Sequence, residues 1–271
     1  MQSSPREAGA TEPLIEFRSV SKSFISQNNK VVRAMQDVSF SVRRGEFIAL
    51  VGPSGCGKST SLNVLAGLTD ITHGEALIMG RPAAEATLDI GYVFQQDSVL
   101  PWRKVIDNIG IGLELRRVPA AERRDRAMAL IHKMGLAGFE NAFPSELSGG
   151  MRKRVALATT LAYAPSILLM DEPFGALDAQ TRIILQDDLL RVWQELHQTV
   201  LFVTHDLSEA ISLADRVIVM TARPGRIKKE YRIDLPRPRG AAEARFLPGF
   251  DGVYMEVWND LRPEITIAVQ D

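Results

Sequence analysis

Four short stretches of this chain carry residue types that together can bind and cleave a phosphoanhydride. Gly52-Pro53-Ser54-Gly55-Cys56-Gly57-Lys58-Ser59-Thr60 matches the pattern G-x-x-x-x-G-K-[ST]. Glycines at that spacing let successive backbone N–H groups converge on phosphate oxygens, and a following helix N-terminus adds positive potential. Lys58 is placed to reach the β- and γ-phosphates of a nucleotide, and the Ser59 hydroxyl to ligate Mg²⁺. Ile167-Leu168-Leu169-Met170-Asp171-Glu172 is an apolar run ending in two carboxylates. Asp171 stands where an acid would hold the metal's hydration shell, and Glu172 where a base would polarise a water in line with the γ-phosphate. By itself, a strand ending in two acids reads as a structural cap, and the phosphate loop is what makes the catalytic reading preferable. His205 follows the next apolar run, Val200 to Thr204, so its strand end opens on the same crevice and it is expected to contact the γ-phosphate. Gln95 leaves a further strand end, Tyr92-Val93-Phe94, with its amide in reach of Mg²⁺ and the water, and Gln96 is the competing candidate.

These residues need strands that end together. Phe47-Ile48-Ala49-Leu50-Val51 is apolar on both faces, as suits a central parallel strand covered on each side. Leu14 to Phe17 and Val38 to Val42 read as shorter strands, the second with period-two alternation. Apolar residues recur at three- and four-residue spacing over Val105 to Leu115, Glu122 to Met134 and Gly150 to Ala162, which predicts helices. Strands return at Ile167 to Met170, Val200 to Thr204 and Val217 to Met220. The pattern predicts an α/β core, residues 12–96 and 165–235, interrupted by a helical insertion over 97–164. Residues 1–11 read as a disordered leader, and 236–271 as a tail with a short helix around Met255 to Leu261.

Bulk properties narrow the class. A net charge of −1 lacks the basic excess of a nucleic-acid binder, so no nucleic-acid partner is expected. One cysteine, Cys56, excludes an internal disulfide framework and fits a reducing compartment. Because Cys56 lies inside the phosphate loop, a bulky thiol reagent is expected to inhibit. No run approaches the roughly 18 consecutive apolar residues that cross a bilayer, so any work at a membrane requires another chain to span it.

One stretch is foreign to most phosphate-loop hydrolases. Leu147-Ser148-Gly149-Gly150-Met151 opens a helix ahead of the two acids. With the loop, Gln95, Asp171-Glu172, Gly175-Ala176-Leu177-Asp178 and His205, in this order and spacing, the chain resembles ABC-type ATPase domains. The resemblance implies a phosphate-loop core with an antiparallel β subdomain and an inserted helical subdomain. It implies ATP and Mg²⁺ as cofactors and two copies that pair head to tail. Ser148, Gly149 and Gly150 would then contact the γ-phosphate of the partner's ATP at a helix N-terminus. Asp178 corresponds to an acid that couples the two sites, and Phe24 to an aromatic stacked on adenine.

Leu100-Pro101-Trp102-Arg103, Met151, Arg223-Pro224-Gly225-Arg226-Ile227 and Asp234-Leu235-Pro236-Arg237-Pro238-Arg239 resemble importer ATPases of the nitrate/sulfonate/taurine/bicarbonate group. That implies integral membrane permease subunits, a solute-binding protein acting through them, and a place at the cytoplasmic face of the plasma membrane. Trp102 would line the groove that receives a permease helix, or pack in the core. Met151 stands where the broader family has glutamine, and Thr159 where many relatives carry arginine. The rival readings are an efflux or lipid-handling ABC ATPase and a soluble, non-transport one.

Overall fold

A computed structural model describes residues 12–25, 28–86, 90–175 and 177–270, so the predicted leader lies outside the described residues. In chain order the elements begin with β1 (Ile15–Ile25), β2 (Val31–Val42), β3 (Phe47–Val51), α1 (Lys58–Leu65), β4 (His73–Ile78), β5 (Arg81–Pro82) and β6 (Ile90–Val93). Three helices follow, α2 (Val105–Leu115), α3 (Ala120–Lys133) and α4 (Gly149–Leu161). Strands and helices then alternate as β7 (Ile167–Asp171), α5 (Ala179–Leu196), β8 (Thr199–Val203), α6 (Leu207–Leu213), β9 (Arg216–Met220) and β10 (Ile227–Arg232). The last two are α7 (Ala241–Ala244) and α8 (Phe250–Gln270).

Two sheets organise these elements. The first is four-stranded and antiparallel, in the order β2-β1-β4-β5. The second is six-stranded, in the order β10-β9-β3-β8-β7-β6, parallel except for β10 at its edge. β3 pairs with β8 on one side and β9 on the other, and all five of its residues are buried. Side chains alternate across a strand, so a strand apolar throughout can feed two cores. Phe47, Ala49 and Val51 point into one with the helices α2 to α6, while Ile48 and Leu50 point into the other with α1 and the antiparallel sheet. Val200 and Phe202 of β8 divide from Leu201 and Val203 in the same way. The expected α/β core, antiparallel sheet and inserted helices are therefore what the chain forms.

The tail differs from its sequence reading. The helix expected over Met255 to Leu261 is α8, which runs 21 residues and carries Pro263 inside it. Proline removes one helical hydrogen bond and reads as a stop. Here Val257, Leu261 and Glu264 are all buried against α6, β9 and β10, so packing on both sides of Pro263 holds the helix through it. The preceding Pro-Arg-Pro-Arg stretch is also fixed. Arg239 is buried and donates to the carbonyls of Ser212, Ala214 and Leu235, while Arg237 donates to Leu213 O and to Asp215 Oδ1. Two guanidinium groups thus hold the carbonyls at the C-terminal end of α6, where a helix favours positive charge.

Candidate functional site

β3 delivers the phosphate loop to the carboxyl edge of the parallel sheet. Gly57 caps α1 with φ 98°, a left-handed conformation costly for any residue with a Cβ. Lys58 is buried, and its ammonium donates to the carbonyls of Gly52 (2.8 Å) and Pro53 (2.9 Å), with Cys56 Sγ at 3.9 Å. Pro53 and Cys56 are buried, Ser54 and Gly55 are exposed at the loop's tip, and Thr60 is half-buried in α1. Burial pushes the Cys56 thiol up against the opposing pull of Lys58.

Two strands away in the sheet, β7 brings Asp171 beside the loop. Ser59 Oγ donates to Asp171 Oδ1 at 2.9 Å. Burial raises the Asp171 carboxyl, and the Ser59 hydrogen bond pulls it back. Two hard oxygens side by side at the mouth of a phosphate loop form a donor set suited to Mg²⁺, which takes one or two protein oxygens and completes its shell with phosphates and waters.

Glu172 lies one residue further, with φ 42° and its N–H bonded to Val203 O at 2.9 Å. A left-handed glutamate costs about 1–3 kcal/mol, and such strain persists where the surroundings enforce it. It turns the carboxylate out of the strand, toward the ends of its neighbours. Glu172 Oε2 accepts from Gln95 Nε2 at 3.4 Å and lies 3.0 Å from His205 Nδ1. Gln95, Glu172 and His205 are thus brought together from three strand ends. Gln95, and not Gln96, is the glutamine with a hydrogen bond to this group among the described residues.

Among the described residues, the other expected residues make no hydrogen bond to this cluster. Ser148 caps α4, its Oγ accepting from Met151 N at 3.3 Å. No hydrogen bond among the described residues ties Ser148, Gly149 or Gly150 to the phosphate loop. Met151 contributes its backbone to this cap and its side chain to the core. Thr159 donates its hydroxyl to Val155 O at 2.8 Å, one turn back, and so satisfies itself on the helix. Asp178 caps α5 by accepting from Gln180 N (3.1 Å) and Thr181 N (2.9 Å), and these bonds hold its carboxyl below the usual range. Phe24 is 41% exposed on β1, opposite Val32, with the Lys22 ammonium over its ring. Trp102 is 71% exposed, which excludes a place in the core.

Some participants carry no motif. Lys153, buried on α4, donates to the Gln95 carbonyl at 2.6 Å and lies 3.4 Å from Asp97, so it joins α4 to the backbone of the glutamine. Burial lowers its ammonium. Tyr92 donates to Asn63 Oδ1 at 3.0 Å, and burial, followed by the Asp171 charge, raises its phenol. A lysine within a basic helix and a tyrosine within a strand give no periodic sign of these partners.

The family model described as ABC transporter matches residues 35–175. An uncharacterized ABC transporter ATP-binding protein of Methanocaldococcus jannaschii is 49% identical over 233 residues, 86% of this chain and 87% of its own length. The chain belongs to the ABC transporter family. It is the family's ATP-hydrolysing, ATP-binding subunit. A taurine import ATP-binding protein of Rhizobium johnstonii is 45% identical, over 79% of this chain and 82% of its own. An aliphatic sulfonates import ATP-binding protein of Bacillus cereus is 40% identical, over 86% and 91%. Among solved structures, the dimeric ABC transporter cassette MJ0796 superposes with a TM-score of 0.73 at 32% identity, covering 81% of this chain and 98% of that one. Its post-hydrolysis state bound to ADP and Pi matches with the same TM-score at 31% identity.

Proposed function

We propose that this ABC subunit energises a membrane importer for a small anion, such as nitrate, a sulfonate, taurine or bicarbonate. The observation that carries the ATPase site is the Glu172 carboxylate held between Gln95 and His205, beside the Ser59–Asp171 oxygen pair. In this reading the backbone of Gly52 to Thr60 and the Lys58 ammonium cradle the phosphates. Lys58 exchanges the carbonyls of Gly52 and Pro53 for phosphate oxygens. Ser59 and Asp171, with Gln95, hold Mg²⁺, which when bound neutralises charge on the β- and γ-phosphates. Glu172 accepts the proton of the attacking water and His205 steadies the γ-phosphate. Phe24, exposed on its hairpin, stacks on adenine.

The Ser148 turn lies at the N-terminus of α4 with no hydrogen bond to its own phosphate loop among the described residues, and it completes the ATP site of a second copy. Asp178 links the two sites. Residues 12–235 form the ABC ATPase domain, with 97–164 as its helical subdomain. As the relatives named for import suggest, the subunit works peripherally, on the cytoplasmic face, against permease subunits; among the described residues no helix is long and apolar enough to cross a membrane. Trp102, Arg103, Lys104, Asp107 and Phe143 line a groove of about 260 Å³ that offers them a docking point. The taurine and aliphatic sulfonate import relatives support the sulfonate side of this reading, while nitrate and bicarbonate rest on the motif resemblance of residues 100–103, Met151 and 223–239. Selectivity rests with a separate solute-binding protein, whose ligand identifies the solute.

Glu172→Gln tests the site. It keeps the side chain's shape and removes the base, so turnover should fall by about 10²–10⁴-fold while ATP binding persists. Native turnover in this variant would refute the role given to Glu172.

A further inference from the structure

The loop joining β9 to β10 and the helix α8 carry residues that the ATPase reading leaves without a task. Glu264 of α8 is 9% exposed. One of its oxygens accepts from Ala222 N at 2.9 Å and the other from Lys228 Nζ at 2.7 Å, while Lys228 also donates to Asp260 O at 2.8 Å. Ala222 opens a closed loop: Thr221 N donates to Arg226 O at 2.9 Å, and Arg226 N donates to Thr221 Oγ1 at 3.0 Å. The far side of that loop presses on the phosphate loop. Arg223 Nε donates to Gly55 O at 3.3 Å. Gly225 packs so closely that a Cβ there would stand 1.7 Å from the Cys56 carbonyl oxygen. Gly225 is also stitched to β2, donating to Ala34 O at 3.0 Å and accepting from Gln36 N at 2.9 Å. Residues 221–226 are therefore a wedge between β2 and the back of the phosphate loop, and Glu264 grips its outer end.

We propose that Glu264 is a positioning residue for ATP binding: through Ala222 and the wedge, α8 sets the pose of Gly55 and Cys56, and with it the convergence of the phosphate loop's N–H groups. This rests on the phosphate loop being the ATP site. Backbone donors bind an anion well only when they converge on it, and a loop free to relax loses that preorganisation. Contacts on the Gly55 and Cys56 carbonyls restrain the two peptide planes that carry the Cys56 and Gly57 N–H groups, the first of which closes the loop on Pro53 O at 3.4 Å. The tail of the chain thus acts on the ATP site without touching the nucleotide.

Electrostatics and positioning predict opposite signs, which makes the proposal testable. Removing the negative charge of Glu264 would by itself favour an anionic nucleotide and lower KM for ATP. Positioning predicts that Glu264→Ala raises KM for ATP roughly tenfold with kcat within about twofold, whereas a merely structural loss would lower the active fraction and leave KM alone. Glu264→Gln keeps an oxygen for Ala222 N and should restore a near-native KM. Unchanged or lowered KM in Glu264→Ala overturns the proposal. Should that variant not fold, Arg223→Met, at an exposed side chain, carries the test. Its KM should rise and stay raised at high salt, and a rise that salt abolishes is simple charge attraction, which also overturns the proposal. Lys58→Ala in the same assay keeps the two claims apart. It should lose ATP binding, and a native KM there would refute the ATP site itself.

Discussion

Cys56 shows how far a residue's setting can depart from its position in a motif. It sits inside the phosphate loop, where an accessible thiol would be an obvious point of attack, yet it is fully buried and burial pushes its pKa up. The thiolate is the reactive form, so a buried, raised thiol is doubly protected. Alkylation of the folded protein by a bulky maleimide should be slow at neutral pH and quicken as pH rises toward the thiol's raised pKa. Mass spectrometry of the modified chain over time checks this, and rapid stoichiometric labelling of folded protein would count against the buried pose. The inhibition expected from sequence therefore requires the loop to open first. Sequence could place Cys56 in the loop, but its burial comes from the second core, which draws in Met35 and Met220 from strands distant in the chain. Glu172 was legible by contrast, because a pair of acids ends an apolar run in a chain that also carries a phosphate loop. Its left-handed backbone was not, since nothing in Asp-Glu-Pro encodes a positive φ.

At the scale of elements, α6 is the case where packing decides. This helix spans seven residues between His205 and the strand β9, too short to be stable by itself in water. Asp206 caps its start, accepting from Ser208 N and Glu209 N, and the two tail arginines hold its end. Burial, followed by the Arg237 charge, lowers the Arg239 guanidinium to about 10, still charged at neutral pH. Arg239→Met leaves three carbonyls without their donor, which should cost about 3 kcal/mol of stability in urea unfolding. Arg239→Lys should cost less, because an ammonium keeps the charge but not the planar fork. Equal stability of the Met variant and the native chain would refute the clamp. Helix α2 was readable to its ends, Val105 and Leu115, because its apolar residues recur at three- and four-residue spacing over that whole stretch. The Pro-Arg-Pro-Arg clamp was readable only as a group marker, because its acceptors are backbone carbonyls, which every sequence contains alike. For α8, Pro263 obscured a helix that tertiary packing sustains.

At the scale of the whole molecule, two surfaces remain for other chains. One is the exposed Trp102 groove, with Phe143 and the Arg103–Glu114 ion pair nearby. Trp102→Glu should leave ATPase activity of the isolated subunit within about twofold while weakening co-purification with the permease, because buried aromatic anchors dominate interface energies. Retained co-purification would place the docking point elsewhere. The other is the Ser148 turn at the head of α4, proposed to finish the ATP site of a second copy in trans. Sedimentation of Glu172→Gln in MgATP tests it most directly. A stable dimer with one ATP bound per chain is expected, and an ATP-bound monomer once Ser148→Arg is added. A Glu172→Gln chain that binds ATP yet stays monomeric, or a double variant that still dimerises, would contradict it.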